Sequence, residues 1–251
     1  AGSYETHRAT IAYKLDNFSK LRFSYGTGIR YPSLYEYFYG TVVSNKEDLK
    51  PEKSKSYDVG YETYFDELNM DVNLSIFKID YNDPLEGWQS NSWTIKNSNG
   101  KIESKGIEFS AIIRPKYNFD ISFNYNYSDT YDGADCDDPD KGANNCIDES
   151  MVRVPRHSLN STINYNFSNI FNNKFLFKYS DEVRDYGNVN NGFKDVILGD
   201  YFVTDYQANL KLSNSYNVYM NIYNLFNEKY EQAYMYSTID RAFSVGLKKN
   251  Y

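Results

Sequence analysis

The chain has 251 residues, room for one large all-β domain or two ordinary ones, and its 27 basic and 34 acidic residues give a net charge of −7. That balance excludes a general nucleic-acid partner, because phosphate binding needs clustered Lys and Arg. Aromatics make up 18% of the chain, with 27 Tyr and 16 Phe, and mean hydropathy is −0.70. No apolar run approaches the roughly 20 residues a membrane helix needs, so helical spans are excluded while pleated, half-buried strands are favoured.

The opening residues, Ala1 to Arg8, hold no basic leader followed by an apolar segment, so no secretion signal is expected there. Ile11, Tyr13 and Leu15 share one side of a two-residue period, and Leu21, Phe23 and Tyr25 do the same after a turn at Asp16 to Lys20. A long connection runs from Arg30 to about Ser54. Tyr57 to Phe65 then alternates, turns tightly at Asp66 to Asn69, and continues through Met70, Val72, Leu74 and Ile76. After a further connection near Asn82 to Asn91, residues 93–114 read as one long strand with an irregularity at Asn97 to Gly100.

Phe119, Ile121, Phe123, Tyr125 and Tyr127 oppose Asp120, Ser122, Asn124, Asn126 and Ser128, a pattern no helix tolerates. Past a polar connection at about 132–152, Leu159, Ile163, Tyr165 and Phe167 alternate with polar residues. Segments at 174–186, 201–212, 216–224 and 243–251 complete about eleven strands.

The connections alternate strictly between short ones, near 17, 67, 116, 170 and 214, and long ones, near 40, 87, 142, 193 and 232. A soluble sandwich has no reason to sort its loops this way, whereas outer-membrane barrels put short turns on the periplasmic side and long loops outside. Low hydropathy fits such a barrel, since every second residue faces a polar interior. Eleven strands would leave the termini on opposite faces of the membrane, while complete bacterial barrels have even strand numbers. The expectation is therefore the C-terminal half of a larger transmembrane antiparallel β-barrel, all-β across residues 1–251, with the first strands and any plug domain outside the chain.

Five stretches resemble TonB-dependent outer-membrane receptors: Gly28-Ile-Arg-Tyr-Pro-Ser-Leu-Tyr-Glu36; Leu49-Lys-Pro-Glu-Lys-Ser54; Asn97 with Lys105-Gly-Ile-Glu108; Arg153-Val-Pro-Arg156; and Asn224-Leu-Phe-Asn-Glu-Lys-Tyr230 with Arg241-Ala-Phe-Ser-Val-Gly246. The resemblance implies a 22-stranded barrel around an N-terminal plug, of which this chain is the second half. It also implies a transport receptor rather than an enzyme, working through the inner-membrane TonB complex and the proton gradient. The end of the chain, Ser244-x-Gly246 through Tyr251, resembles the signal read by the barrel-assembly machinery, with Gly246 and Tyr251 as its marks. Within the family, Tyr230 to Arg241 looks most like the members that import vitamin B12 (cobalamin). A corrinoid is thus the first expected ligand and a ferric siderophore the second. A passive porin, an adhesin barrel and a barrel hydrolase are the rival readings.

Among aromatics, Tyr35, Tyr37, Trp88, Tyr234 and Tyr236 lie in loops beyond strand ends and are the ligand-binding candidates, while others fit an interfacial girdle. Asp135, Asp137, Asp138 and Asp140 crowd one exterior loop and offer hard oxygens for Ca²⁺, against the plain reading of a solvated charge run. Cys136 and Cys146 in the same loop are candidates for a disulfide in an oxidising compartment. His7 and His157 have no Ser-Asp constellation beside them in the sequence, which points away from catalysis.

Overall fold

Alternation of apolar and polar side chains makes each strand two-faced, and hydrogen bonding between neighbours turns the strands into one surface. The computed structural model describes residues 3–38, 49–86, 95–97, 101–115, 118–133, 150–189 and 192–249. Its main sheet has eleven antiparallel strands: β1 (Arg8–Lys14), β2 (Ser19–Arg30), β3 (Glu52–Phe65), β4 (Met70–Asn82), β5 (Ile102–Ile113), β6 (Phe119–Asp132), β7 (His157–Ser168), β8 (Phe171–Ser180), β9 (Tyr201–Lys211), β10 (Tyr216–Tyr223) and β11 (Ala242–Lys249). Each pairs with the strand next to it in this order, and no crossover interrupts the sequence.

Directly paired residues share a face, so the register sorts the side chains into rows. One row runs Ile11, Phe23, Val59, Ile76, Ile107, Tyr127 and His157. Ile76 on it is 55% exposed, and Ile11 and Val59 are exposed as well. A soluble protein would cover such a surface; hydrocarbon wets it at no cost. The opposite face carries rows such as Lys20, Glu62, Asn73, Ser110, Asn124 and Asn160. That polar face is concave and encloses a hollow of about 770 Å³ lined by Arg22, Asp58, Ser75, Glu108 and Asn126. Arg22 pairs with Asp58 at 3.1 Å, Lys20 with Glu62 at 2.7 Å, and Ser75 Oγ donates to Asp58. Phe119, Ile121, Phe123, Tyr125 and Tyr127 thus stand on the outward face, as their alternation predicts.

Short turns close the hairpins at one end. The Asp16 carboxylate accepts from the backbone N–H of Phe18 and Ser19, both at 2.7 Å. Asn69 takes a left-handed conformation (φ 46°) after the 3₁₀ turn Asp66–Leu68, and its side-chain amide donates to the Arg114 carbonyl at 2.7 Å, stitching neighbouring hairpins together.

Two expected strands are corrected. Residues 93–114 are not one strand: Lys96–Asn97 pairs with Leu85–Glu86 as a separate ribbon, and β5 begins only at Ile102. The Asn97 side chain causes the break, because it donates to the carbonyls of Lys50 and Asp83 and accepts from the Lys50 N–H. Residues 174–186 likewise divide. β8 stops at Ser180, where Ser180 Oγ donates to the Asp181 carbonyl and the Asp181 carboxylate accepts from the Glu182 N–H. The chain then leaves the sheet for a second ribbon, Val183–Val189 paired with Gly192–Leu198.

Placing Arg at Phe123, on the outward face, is expected to destabilise the membrane-inserted protein by about 2–4 kcal/mol. Arg at Asn124, on the concave face, should cost far less. Denaturant titration of both variants in bilayers checks this, and equal losses would contradict the assignment of faces.

Candidate ligand-binding mouth

The described parts of the long connections leave the sheet at one end, and side chains anchor them there. Arg30, the last residue of β2, extends its guanidinium between two carboxylates. Its Nη1 donates to Glu36 Oε1 at 2.9 Å and its Nη2 to Glu52 Oε1 at 2.7 Å, while Nε also donates to Glu52. Glu36 opens a short helix, α1 (Leu34–Phe38), through a reciprocal cap: its carboxylate accepts from the Ser33 N–H at 2.6 Å, and Ser33 Oγ accepts from the Glu36 N–H at 3.2 Å. Glu52 Oε1 also accepts from the Leu85 N–H at 2.7 Å, tying in the next connection. Burial pushes the Glu36 carboxyl up, but hydrogen bonds from Ser33 and Arg30 outweigh it and hold the group below its ordinary value. For Glu52, burial again opposes the hydrogen bonds from Arg30 and Leu85, and the bonds again win.

At the other side of the mouth the ribbon 183–198 is clamped by buried charge. Asp185 is 0% exposed, and its carboxylate accepts from Arg153 Nε at 2.9 Å, the Tyr186 N–H at 2.8 Å and the Tyr234 N–H at 2.7 Å. Arg184 lies 3.6 Å from Asp195, donates to the Tyr186 hydroxyl at 3.0 Å and stacks over that ring. A Cβ on Gly187 would come within 2.8 Å of the Tyr234 ring, so only glycine lets that tyrosine lie on the ribbon. Tyr230 packs on Tyr201 with ring centroids 4.3 Å apart.

The last connection turns on Asn224, whose backbone is left-handed (φ 51°). Its side chain accepts from the Glu228 N–H at 2.8 Å and donates to the carbonyls of Glu228 and Ile239. Asn227 in turn accepts from the Arg241 N–H at 2.9 Å, returning the chain to β11. Between the ribbon 183–198 and this connection opens a cleft of about 800 Å³, bordered by Leu198, Asp200, Glu231, Tyr234, Thr238 and Asp240. Its one lysine, Lys229, is paired with Asp240. An acidic, partly aromatic cleft with no reactive pair suits recognition of a large uncharged or cationic molecule more than an anion.

The sequence-predicted residues fall into two groups. Tyr234 and Tyr236 meet on one small ribbon, Glu231–Ala233 with Tyr236–Ser237. Tyr236 is 73% exposed, whereas Tyr234 is half-buried against the larger ribbon. Tyr35 and Tyr37 sit on α1 between β2 and β3. Seven interstrand spacings separate β3 from β10, roughly 34 Å along the sheet, so these tyrosines line the opposite side of the mouth. Gly246 lies opposite Tyr219, whose ring covers it closely enough that a Cβ would sit 2.3 Å away. His157 accepts from or donates to the Tyr125 hydroxyl at 2.8 Å and stacks on that ring, a packed side chain on the outward face. Trp88, Asp135, Asp137, Asp138, Asp140, Cys136, Cys146 and Tyr251 lie outside the described residues. Of the buried Arg184, Asp185 and Asp195 with the exposed Arg153 beside them, only Arg153 stands in a stretch marked out by the sequence. The sequence signal for the ribbon that carries the others is the polar run Asn190-Asn191-Gly192, the residue types of a hairpin turn.

Residues 2–225 match the family described as TonB dependent receptor-like, beta-barrel. The chain is 22% identical to the vitamin B12 transporter BtuB of Vibrio cholerae, over 98% of this chain and 37% of that protein. It is structurally similar to the ferric-catecholate import receptor Fiu of E. coli K12 (TM-score 0.76, 16% identity, 97% of this chain and 34% of that one). The ferripyoverdine receptor of Pseudomonas aeruginosa, solved with ferripyoverdine bound, is similar too (TM-score 0.76, 15% identity, 96% and 32%). The chain thus spans about a third of the length of these relatives.

Asp185→Ala strands the N–H groups of Tyr186 and Tyr234 in a buried setting, at about 1–3 kcal/mol each. Hydrogen exchange at those two amides should rise at least tenfold, roughly, while Asp185→Asn, which keeps an acceptor, should raise it less. Acid acts at the other side. Because the Glu36 and Glu52 carboxyls are lowered from 4.5, the docking they provide is complete above that value and lost as pH falls below it through the lowered folded-state values. Exchange at the Ser33 and Leu85 amides, corrected for intrinsic rates, should therefore rise only on acidification below about pH 4.5.

Proposed function

The chain belongs to the TonB-dependent receptor β-barrel family, and on that premise we propose that it is the C-terminal part of an outer-membrane active-transport receptor for a large, scarce ligand. In this reading the loops capture the ligand, and the inner-membrane TonB complex acts through a plug domain carried elsewhere in the receptor. No bond is made or broken by the barrel itself; its part is to bind, enclose and release.

For the ligand we favour a corrinoid over a ferric siderophore. The observation that carries this is the cleft beside Tyr234, where Asp200, Glu231 and Asp240 face a single lysine already paired to Asp240. An anionic iron chelate would be repelled there and would want Arg or Lys in the same place. A macrocycle without net charge meets flat tyrosine faces with hydroxyls at their rims. Similarity to a vitamin B12 transporter along 98% of the chain supports the same choice, while the resemblance to siderophore receptors is one of fold.

The test is equilibrium binding of cyanocobalamin to the protein purified from its native outer membrane. Tyr236→Ala removes the most exposed ring of the small ribbon and should weaken binding by about tenfold, in the range of a single well-packed aromatic contact. Tyr234→Ala should act more strongly, since it also frees the ribbon from Gly187. If no corrinoid binds at micromolar concentration while a ferric siderophore does, the corrinoid assignment fails and the receptor assignment stands.

A further inference from the structure

The last connection has a cavity on each side of it. Towards the ribbon 183–198 lies the acidic cleft of about 800 Å³; beneath, inside the curve of the sheet, is a separate chamber of about 570 Å³. Tyr230, Ser237 and Thr238 belong to both walls, so the two spaces meet at this one segment of chain. The segment is closed on itself by Thr238 Oγ1, which donates to the Tyr230 carbonyl at 2.8 Å.

Lys178 decides what the chamber can hold. It continues the concave row through Asn124 and Asn160, standing between Asn160 on β7 and Val203 on β9. Elsewhere in that row Lys20 has Glu62 at 2.7 Å. Lys178 has no acid beside it in the row, and it forms no ion pair with a described residue. Asp205, the next concave residue of β9, turns its carboxylate to the Asn224 N–H at 2.7 Å. What fixes Lys178 is a ring: its ammonium stands 5.5 Å from the centre of Tyr201. The last connection grips that ring in turn, through Tyr230 packed on it and Gln232 Nε2 donating to its hydroxyl at 3.4 Å. A cation–π contact holds an ammonium in place without neutralising it, and its N–H donors stay available to an acceptor. Leu176, Tyr223 and Ile239 give the chamber apolar sides, which strengthens any charge-assisted hydrogen bond made there.

The two spaces therefore differ in sign. Asp200 stands three residues before Val203, the residue opposite Lys178, which is roughly 10 Å along the strand direction. We propose that Lys178 is a subsite for a phosphodiester on the transported ligand, an assignment that rests on the corrinoid reading above. A cobalamin joins a corrin ring with a cationic cobalt centre to a nucleotide tail that carries a phosphodiester, so opposite charges sit apart in one molecule. The ring meets the acids and tyrosines of the cleft; the tail passes Tyr230, and its phosphate oxygens accept from Lys178. Acid on one side and lysine on the other then hold the ligand in a single orientation.

The experiment is equilibrium binding to the receptor purified from its native outer membrane, with three corrinoids as probes. Cyanocobalamin is whole, dicyanocobinamide lacks the nucleotide, and the phosphate ester of dicyanocobinamide keeps an anion without the base. Lys178→Gln should weaken cyanocobalamin and the phosphate ester by about tenfold, in the range of one charge-assisted hydrogen bond. Dicyanocobinamide should bind that variant as it binds wild type, which also shows that the variant is folded, and Lys178→Arg should restore most of the lost affinity. In wild type, the advantage of cyanocobalamin over dicyanocobinamide should shrink as salt is raised to about 0.5 M. Equal weakening of all three probes by Lys178→Gln, or of none, overturns the proposal. So does a loss confined to cyanocobalamin, which marks a contact with the base, and so does a wild-type advantage that is absent or indifferent to salt. The salt arm needs no variant and decides even if Lys178→Gln fails to assemble. Wild type that binds no corrinoid sinks the corrinoid reading and this subsite with it, whereas binding of all three with Lys178→Gln indifferent sinks the subsite alone.

Discussion

A peptide group in hydrocarbon has no water to bond, and leaving one unsatisfied costs several kcal/mol. The main sheet follows from that constraint. Strand pairing runs without a gap from β1 to β11, with one register shift at Phe171/Asn172 between β7 and β8, and continuous pairing fixes the register of every strand against the next. Register fixes which side chains share a row, and the pleat then sends alternate rows to opposite faces. The lipid-facing row through Ile76 and the concave row through Glu62 and Asn73 are two readings of one hydrogen-bond pattern. The same constraint marks the outer edges of β1 and β11, which among the described residues pair on one side only.

Where the chain leaves hydrocarbon, the constraint changes form. Connections at the mouth are held by single polar side chains, most of them at or next to a strand end. Arg30 gathers Glu36 and Glu52, Asn97 gathers Lys50 and Asp83, Asp185 gathers Arg153 and Tyr234, and Asn224 gathers Glu228 and Ile239. Arg30, Asn97 and Asn224 lie in the stretches that resemble the receptor family, whereas Asp185 does not. Their work is architectural: they hold the connections at fixed angles over the opening. Tyr236, proposed above to meet the ligand, is by contrast 73% exposed.

This division explains what could be read in advance. Strict alternation over 119–128 is a local signal, and it identified the strand and its outward face. The ribbon 183–198 escaped because its alternation continues that of β8 across Ser180 and Asp181, and only side-chain bonds at the junction break the strand. Asp185 falls inside the expected segment 174–186 with no mark of its own, since nothing in its neighbours announces that Arg153 and Tyr234, 32 and 49 positions away, converge on it. Sequence periodicity reports faces; it carries no record of which distant loops meet.

The uninterrupted meander also bears on how such a protein changes over generations. Because spatial neighbours in the sheet are sequence neighbours, a contiguous stretch containing two strands and their turn, such as 201–223, is a self-contained unit. Duplicating or deleting one such stretch widens or narrows the wall by about 10 Å of circumference without rethreading any other segment. A topology with crossovers would have to break pairings elsewhere to absorb the same event. Pore size is in this sense a heritable trait that moves in steps of one hairpin, while the loops at the rim vary independently of it.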